Sequence, residues 1–299
     1  MNVSVLGTNG LLANSIGKFC NEHNYNLDVY GRTMPIHHTF NKFVKIDFLK
    51  ERLQSEDLIK SDIIIYCAGA GIQSGAKEDL NSIYDLNVSI PIFIFNLLKD
   101  QNFNGTFITF GSYFEIGENI IDTSYTEVDL INSMLKAPND YTVSKRTLTR
   151  FISSAKSLYT FYHFILPTIY GENESPNRLI PYTLKAIKED ADLKFTAGDQ
   201  VRQYIYINDV IEIIFSCVQS HLNTGIYNIS GTEEFSVKEL VTLLFDLMLK
   251  NIPSDVFGKT DRIDVGMKVL KLNGEALKNK INYSSNTKIS DVYGKYNFE

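Results

Sequence analysis

The sequence predicts an α/β fold, a doubly wound parallel sheet with a smaller mixed α/β domain after it, and three observations carry that reading. Short apolar runs suited to buried strands alternate with helically spaced stretches as far as residue 166. A glycine-rich turn, GTNG at 7–10, joins the first apolar run to the first helical stretch. After Pro167 the rhythm breaks into turn signals with scattered helices and strands. The two domains are therefore expected at 1–168 and 169–299, with part of 200–225 returning to the first.

Taken in order, residues 1–6 read as a short buried strand and 14–23 as the helix after the turn. Strands follow at 27–30, 43–46 and 62–67, the last (DIIIYC) apolar enough to be covered on both faces. Residues 79–99 carry apolar side chains at helical spacing, and 105–110 (GTFITF) form the next strand. A helix over 139–158 and a strand over 161–166 complete the alternation. Beyond it, helices are expected near 179–188 and 237–250 and a strand near 202–207. There is no internal repeat and no low-complexity linker.

Composition narrows the function classes. With 299 residues, 44% of them hydrophobic, the chain can bury a substantial core. A net charge of −6 suggests no nucleic-acid surface, although it leaves room for a local basic site. Cys20, Cys67 and Cys217 are odd in number, far apart and set in apolar runs, so free buried thiols are expected, with neither a disulfide framework nor a metal site. The pair His37 and His38 has no partner ligands nearby and reads as surface. No apolar run reaches membrane-spanning length, and the opening strand leaves no room for a leader peptide, so a cytoplasmic location is expected.

The chemistry concentrates in YTVSK at 141–145. A tyrosine and a lysine four residues apart on a helix share a face. There the ammonium can favour the phenolate and lower the tyrosine pKa, which makes Tyr141 a usable proton donor or acceptor near neutral pH. A strand, a glycine turn and a helix form the opening of a Rossmann-like unit. Gly7 and Gly10 let backbone approach a pyrophosphate at a helix amino terminus, and Ala13 is small enough for the helix to lie close to the sheet. An ordinary strand-to-helix turn is the bland alternative.

In this order the motifs resemble the extended short-chain dehydrogenase/reductases that act on nucleotide sugars, over nearly the whole chain. Gly7-x-x-Gly10-x-x-Ala13 looks like that family's cofactor turn, and Ala68 with Gly69 like its second one. Asn87-Val88 looks like its NV element, FGSYFEIG at 110–117 like the segment that supplies the catalytic hydroxyl, and PTIYG at 167–171 like the turn beside the nicotinamide. GDQVRQYIYINDV at 198–210 resembles the segment whose arginine binds nucleotide phosphates in the sugar-modifying branch. The resemblance implies that Ser112, Tyr141 and Lys145 are catalytic. It implies cofactor contacts from Gly7, Thr8, Asn9, Gly10, Leu11, Leu12, Ala68, Gly69, Asn87, Tyr141, Lys145, Pro167, Thr168 and Ile169. Asp47 resembles the residue that meets the adenine amino group, with Phe48 beside it; a helix cap for 48–53 explains Asp47 nearly as well. For the nucleotide sugar it implies Tyr113, Asn177, Arg178 and Arg202, with Arg262 as a second phosphate ligand or a plain surface cation. It also implies a homodimer built on the helices at 79–99 and 139–158. Ile83, Leu86, Ile90, Phe93, Ile94 and Leu97 spread over more arc than packing on one sheet face needs.

Cofactor preference turns on the charge after the second strand. An acidic residue there holds the ribose hydroxyls of NAD, whereas a 2′-phosphate needs a cation. Asp28 falls inside the strand and Arg32 in the loop, which favours NADP(H) over NAD(H); an earlier strand end would revive Asp28. Where related 4,6-dehydratases carry an Asp-Glu pair after the catalytic hydroxyl, this chain has Tyr113 and Phe114, neither suited to acid–base elimination. The reading is NADPH-dependent reduction of the 4-keto group of a nucleoside-diphosphate 4-keto-6-deoxy sugar. It resembles the CDP-abequose synthase branch, which makes bacterial O-antigen deoxysugars. The alternatives are an NAD-dependent nucleotide-sugar 4-epimerase and a non-catalytic dinucleotide sensor, though sensors typically lose the Tyr/Lys pair. Residues 115–138 read as a long, polar, acidic loop of the kind that lines substrate sites.

Overall fold

In the computed structural model of the chain, residues 1–71, 79–260, 266–283 and 285–297 are described. Eleven strands occur among them: β1 (Asn2–Leu6), β2 (Asn26–Gly31), β3 (Lys42–Lys45), β4 (Ile63–Tyr66), β5 (Thr106–Ser112), β6 (Thr160–Leu166), β7 (Thr168–Tyr170), β8 (Val201–Tyr206), β9 (Gly225–Asn228), β10 (Glu233–Ser236) and β11 (Val269–Leu270). Seven make one sheet in the order β3-β2-β1-β4-β5-β6-β9, every pair parallel. The order reverses between β1 and β4, where an open α/β sheet forms its ligand crevice. The second sheet centres on β8, with β10, β11 and β7 beside it.

The helices are α1 (Leu11–Glu22), α2 (Ser55–Leu58), α3 (Leu80–Tyr84), α4 (Ile90–Asp100), α5 (Glu127–Asn132), α6 (Asp140–Ser154), α7 (Leu179–Lys188), α8 (Ile207–Gln219), α9 (Val237–Leu247), α10 (Glu275–Lys278) and α11 (Ile289–Val292). They cover both faces of the parallel sheet, and the period-2 pattern of β4 shows how. Ile63 and Ile65 point into the core shared with α1 and α8, whereas Ile64 and Tyr66 point into the core shared with α4 and α6. Phe19 of α1 stacks on Phe215 of α8 with ring centroids 4.3 Å apart, and Phe95 of α4 meets Phe151 of α6 edge-on.

Several expectations change. Residues 48–53 form a turn and not a helix, because Asp47 Oδ1 accepts the Leu49 N–H at 3.2 Å while the Asp47 carbonyl takes both Lys50 and Glu51. The expected helix at 79–99 is broken by a π turn at Asp85–Ser89. Pro91 supplies no N–H to the ladder and its ring needs room in the preceding turn. The helix expected at 139–158 begins after Asn139, whose side chain caps the Thr142 N–H at 2.9 Å, and stops at Ser154. The expected loop at 115–138 has structure of its own: a 3-10 turn at Tyr113–Ile116, then α5 with a Thr126/Asp129 capping box. Bridges from Asn119 to Met267 and from Tyr125 to Leu272 tie it to the carboxy-terminal part. His37 is exposed, but His38 is half-buried against Gly17, where an added Cβ would lie 2.4 Å from the imidazole.

Candidate active site

Because the seven strands run parallel, their carboxyl ends share one edge, and the expected site residues gather there. Gly7 follows β1, Arg32 follows β2, Asp47 follows β3, Ala68 and Gly69 follow β4, Ser112 ends β5 and Pro167 follows β6. Gly7 adopts φ +105, and a Cβ there would lie 2.6 Å from the Ala68 amide, so the two turns can close on each other only through glycine. A Cβ on Gly10, the N-cap of α1, would meet nothing within 4 Å. The protein does not fill that space, and the free N–H groups of α1 point towards it, which fits a dinucleotide pyrophosphate. Thr8 Oγ1 donates to the Thr33 carbonyl at 2.8 Å and Asn9 reaches the Thr33 hydroxyl, tying the turn to the loop after β2. Leu11 and Leu12 are half-buried at the start of α1.

β2 runs to Gly31, so Asp28 lies mid-strand, in register with Ser4 and Lys42, and the exposed Arg32 is the first residue beyond. Asp47, half-buried, also faces Lys50 at 3.6 Å, and Phe48 packs against Tyr66. Asn87 sits in the π turn, 1% exposed, and its amide is taken by protein. Nδ2 donates to Ala70 O at 2.9 Å and Ser144 Oγ at 3.0 Å, and Oδ1 accepts Ala70 N–H at 3.1 Å. It therefore staples the loop after β4 to α6, which presents Tyr141 and Lys145.

Ser112 and Tyr141 lie within hydrogen-bonding reach of each other through their side chains. Lys145 Nζ donates to the Phe110 carbonyl at 3.0 Å and lies 5.9 Å from the centre of the Tyr141 ring. One expectation is overturned here. The phenol of Tyr141 is not lowered but pushed up to about 12, chiefly because packing desolvates it; Ser112 pulls it down, Glu115 pushes it up and Arg178 pulls it down. Lys145 stands over the ring and faces Glu115, so its charge is not aimed at the hydroxyl. Burial also brings the Lys145 ammonium down to about 8, against the pull of Glu115. A tyrosine so placed is a stored proton: it is neutral throughout the working range and can give its hydrogen to a developing alkoxide.

Tyr113 is 2% exposed, and its hydroxyl is hydrogen-bonded to the Thr168 hydroxyl, which ties the segment after Ser112 to the 167–169 turn. Ile169 is half-buried beside it, and its carbonyl accepts from Arg178 Nη2 at 3.1 Å. Phe114 is half-buried and meets the Tyr141 ring edge-on at 6.2 Å. Arg178 pairs with the buried Glu174 at 3.1 Å, so its charge is compensated. Arg202 differs: it is 8% exposed and bonded only to the Val201 and Lys268 carbonyls and the Gln200 amide, with no carboxylate among the described residues in ion-pair range. Asn177 is exposed just before α7, and Arg262 lies outside the described residues. Among the described residues no group of three or more His, Cys, Asp or Glu is placed to hold a metal, and no helix is long and apolar enough to cross a membrane. Glu115, Arg146 and His163 beneath the site were missed from sequence, although serine with glutamate three residues later at 112–115 is a capping-box signature.

Comparison with known proteins agrees with this geometry. Residues 3–230 match the NAD dependent epimerase/dehydratase family. CDP-abequose synthase of Yersinia pseudotuberculosis is 28% identical over 65% of this chain and 65% of its own length, so the match spans just under two thirds of that relative. The fold is shared with UDP-glucuronic acid 4-epimerase from Bacillus cereus in complex with UDP-glucuronic acid and NAD, at TM-score 0.81, 18% identity and coverage of 98% and 97% of the two chains. It is shared too with dTDP-glucose 4,6-dehydratase from Bacillus anthracis in complex with NAD, at TM-score 0.80, 18% identity and coverage of 98% and 94%. The chain belongs to the NAD dependent epimerase/dehydratase family, the extended short-chain dehydrogenase/reductases.

Proposed function

We propose that the protein reduces the 4-keto group of a nucleoside-diphosphate 4-keto-6-deoxy sugar with NADPH. The observation that carries this reading is a protonated Tyr141 beside Ser112, followed by two positions that offer no acid–base pair for elimination: Tyr113 is buried and Phe114 is a hydrocarbon. The dinucleotide, held by the 7–12 turn, Ala68, Gly69, Lys145 and 167–169, supplies hydride to the keto carbon. The Ser112 hydroxyl donates to the carbonyl oxygen as charge builds on it, and Tyr141 gives that oxygen its proton. Arg202 is a natural anchor for the diphosphate, because a buried guanidinium without a carboxylate gains most from an anion. Asn177, Tyr113 and Arg178 frame the sugar side, and Arg262 is a further candidate for the phosphates.

Arg32 is the proposed contact for a ribose 2′-phosphate. Arg32→Ala is expected to weaken NADPH binding about tenfold, one charge-assisted contact's worth, while leaving NADH unchanged. Fluorescence titration with both nucleotides checks this, and equal effects on the two would remove Arg32 from the site. NAD-dependent 4-epimerisation is the second reading, favoured by solved relatives that hold NAD. Incubation with either cofactor and a panel of nucleotide sugars separates the two: net loss of reduced nicotinamide marks a reductase, interconversion without net loss an epimerase.

The same family reading proposes a homodimer through α4 and α6. On the 79–99 segment Ile94, Phe95 and Leu98 are buried, whereas Ile83, Leu86, Ile90, Phe93 and Leu97 are only half-buried and keep exposed surface. Sedimentation at micromolar concentration should give twice the chain mass of 34.0 kDa; a monomer would contradict it.

A further inference from the structure

A carboxylate that no step above uses lies directly beneath the site. Glu115 is 0% exposed, and its Oε1 accepts the Ser112 N–H at 2.7 Å. The Thr149 hydroxyl of α6 stands close enough to this carboxylate to favour its charge, while Oε2 has no hydrogen-bond partner among the described residues. Thr149 Oγ1 in turn lies 2.8 Å from His163 Nε2, and His163 Nδ1 lies 2.8 Å from Thr109 Oγ1. All three of Thr109, Thr149 and His163 are buried. With Glu115 ionised, the Thr149 hydroxyl can turn its hydrogen towards the carboxylate and accept from His163 Nε2–H, which leaves Nδ1 to accept from Thr109. Burial brings the His163 imidazole down to about 3, so it stays neutral and can play both parts.

The backbone is shaped to admit this chain. A Cβ on Gly111 would stand 2.6 Å from Glu115 Oε1 and 2.7 Å from His163 Nε2, so only glycine at this point of β5 lets carboxylate and imidazole pass. Arg146 braces the turn: Nε donates to the Glu115 carbonyl at 2.8 Å and Nη2 to the Ile116 carbonyl at 3.1 Å. The Arg146 and Lys145 charges both favour ionised Glu115, against a strong push from burial. Among the described residues, four titratable groups face Lys145: Tyr141 from its own helix, Glu115 from the 3-10 turn, His163 from β6 and the Cys67 thiol after β4. Of these, Glu115 is the strongest influence favouring the ammonium.

We propose that Glu115, set beside the buried chain Thr109–His163–Thr149, is a positioning residue that fixes Ser112 and keeps the Lys145 ammonium charged. It touches neither substrate nor cofactor and acts through those two residues. The inference rests on the reductase reading for its kinetic consequences, but its electrostatic half stands without them.

Glu115→Gln keeps an acceptor for the Ser112 N–H and removes the charge. Titration of Lys145 by NMR on protein carrying isotope-labelled lysine, the signal assigned by its loss in Lys145→Arg, reads the effect without any substrate. The Lys145 titration is expected to move down by about one unit or more in Glu115→Gln. A titration within a few tenths of wild type overturns the proposal. Where wild type reduces a keto sugar, the alkaline limb of kcat/KM is expected to move down with it. Glu115→Asp keeps the charge but falls short of Ser112, so it is expected to leave that limb in place and lower kcat about tenfold at unchanged KM. Should Glu115→Gln fail to fold, Glu115→Asp decides: a displaced Lys145 titration or an undiminished kcat overturns the proposal. A wild type inactive on every keto sugar counts against the reductase reading, and the lysine titration still judges Glu115.

Discussion

Tyr141→Phe is expected to turn over a keto sugar roughly two to four orders of magnitude more slowly than wild type, the usual worth of a positioned general acid. The change removes one hydroxyl and keeps the ring that packs edge-on against Phe114, so fold and NADPH affinity should hardly move. Ser112→Ala should cost less, because it deletes a hydrogen bond to the developing oxyanion and leaves the proton source in place. Ser112 has a second task, since its hydroxyl caps the Phe114 N–H at 3.4 Å; its variant needs a thermal-melt control. Single-turnover rates with saturating NADPH check the ordering of the two. Near-normal turnover in Tyr141→Phe would make the tyrosine structural and require another proton donor.

Lys145→Met is expected to lower turnover at least as far and also to weaken NADPH about tenfold or more, because the same ammonium is proposed to hold the nicotinamide ribose. It is the more disruptive change, since it strips the Phe110 carbonyl of its donor and leaves Arg146 as the remaining cation that favours the Glu115 charge. The pH dependence follows from the same group. Burial lowers the ammonium from 10.5 to about 8, so its charged form is complete well below that value and is lost as pH rises through it. Wild-type kcat/KM should therefore fall on the alkaline side near pH 8 and not near 10, and Tyr141, held protonated to about 12, should contribute nothing there. An alkaline limb that persisted at the same pH in Lys145→Arg would assign it to another group.

Much of this was legible in the sequence because strongly patterned segments leave few choices. DIIIYC can only be a strand covered on both faces, and the glycine turn directly after β1 fixes which strand is central. α8 was not legible. In IEIIFSCV the consecutive apolar run at 213–215 reads as strand as readily as helix, and only the spacing of the exposed Asn208, Glu212 and Gln219 marks a helix with an outer face. β9, four residues long, carries too little pattern to betray its pairing with β6. That Ser112, Tyr141 and Lys145 meet was readable from residue type and spacing, yet the state of Tyr141 was not. Four residues of helix place Lys145 on the correct face, but which atom of the phenol it faces depends on the Phe110 carbonyl and on Glu115. The buried chain behind Ser112 was invisible for a like reason: Thr109, Glu115, Thr149 and His163 come from four elements and meet only in the fold.

The most direct test is to mix the protein with NADPH and a nucleoside-diphosphate 4-keto-6-deoxyhexose and follow reduced nicotinamide absorbance alongside the sugar products. The expected result is one NADPH oxidised for each 4-keto group converted to a hydroxyl, with Tyr141→Phe abolishing most of the rate. Interconversion of 4-hydroxy sugars with no net loss of reduced nicotinamide, or loss of water from the sugar, would contradict it.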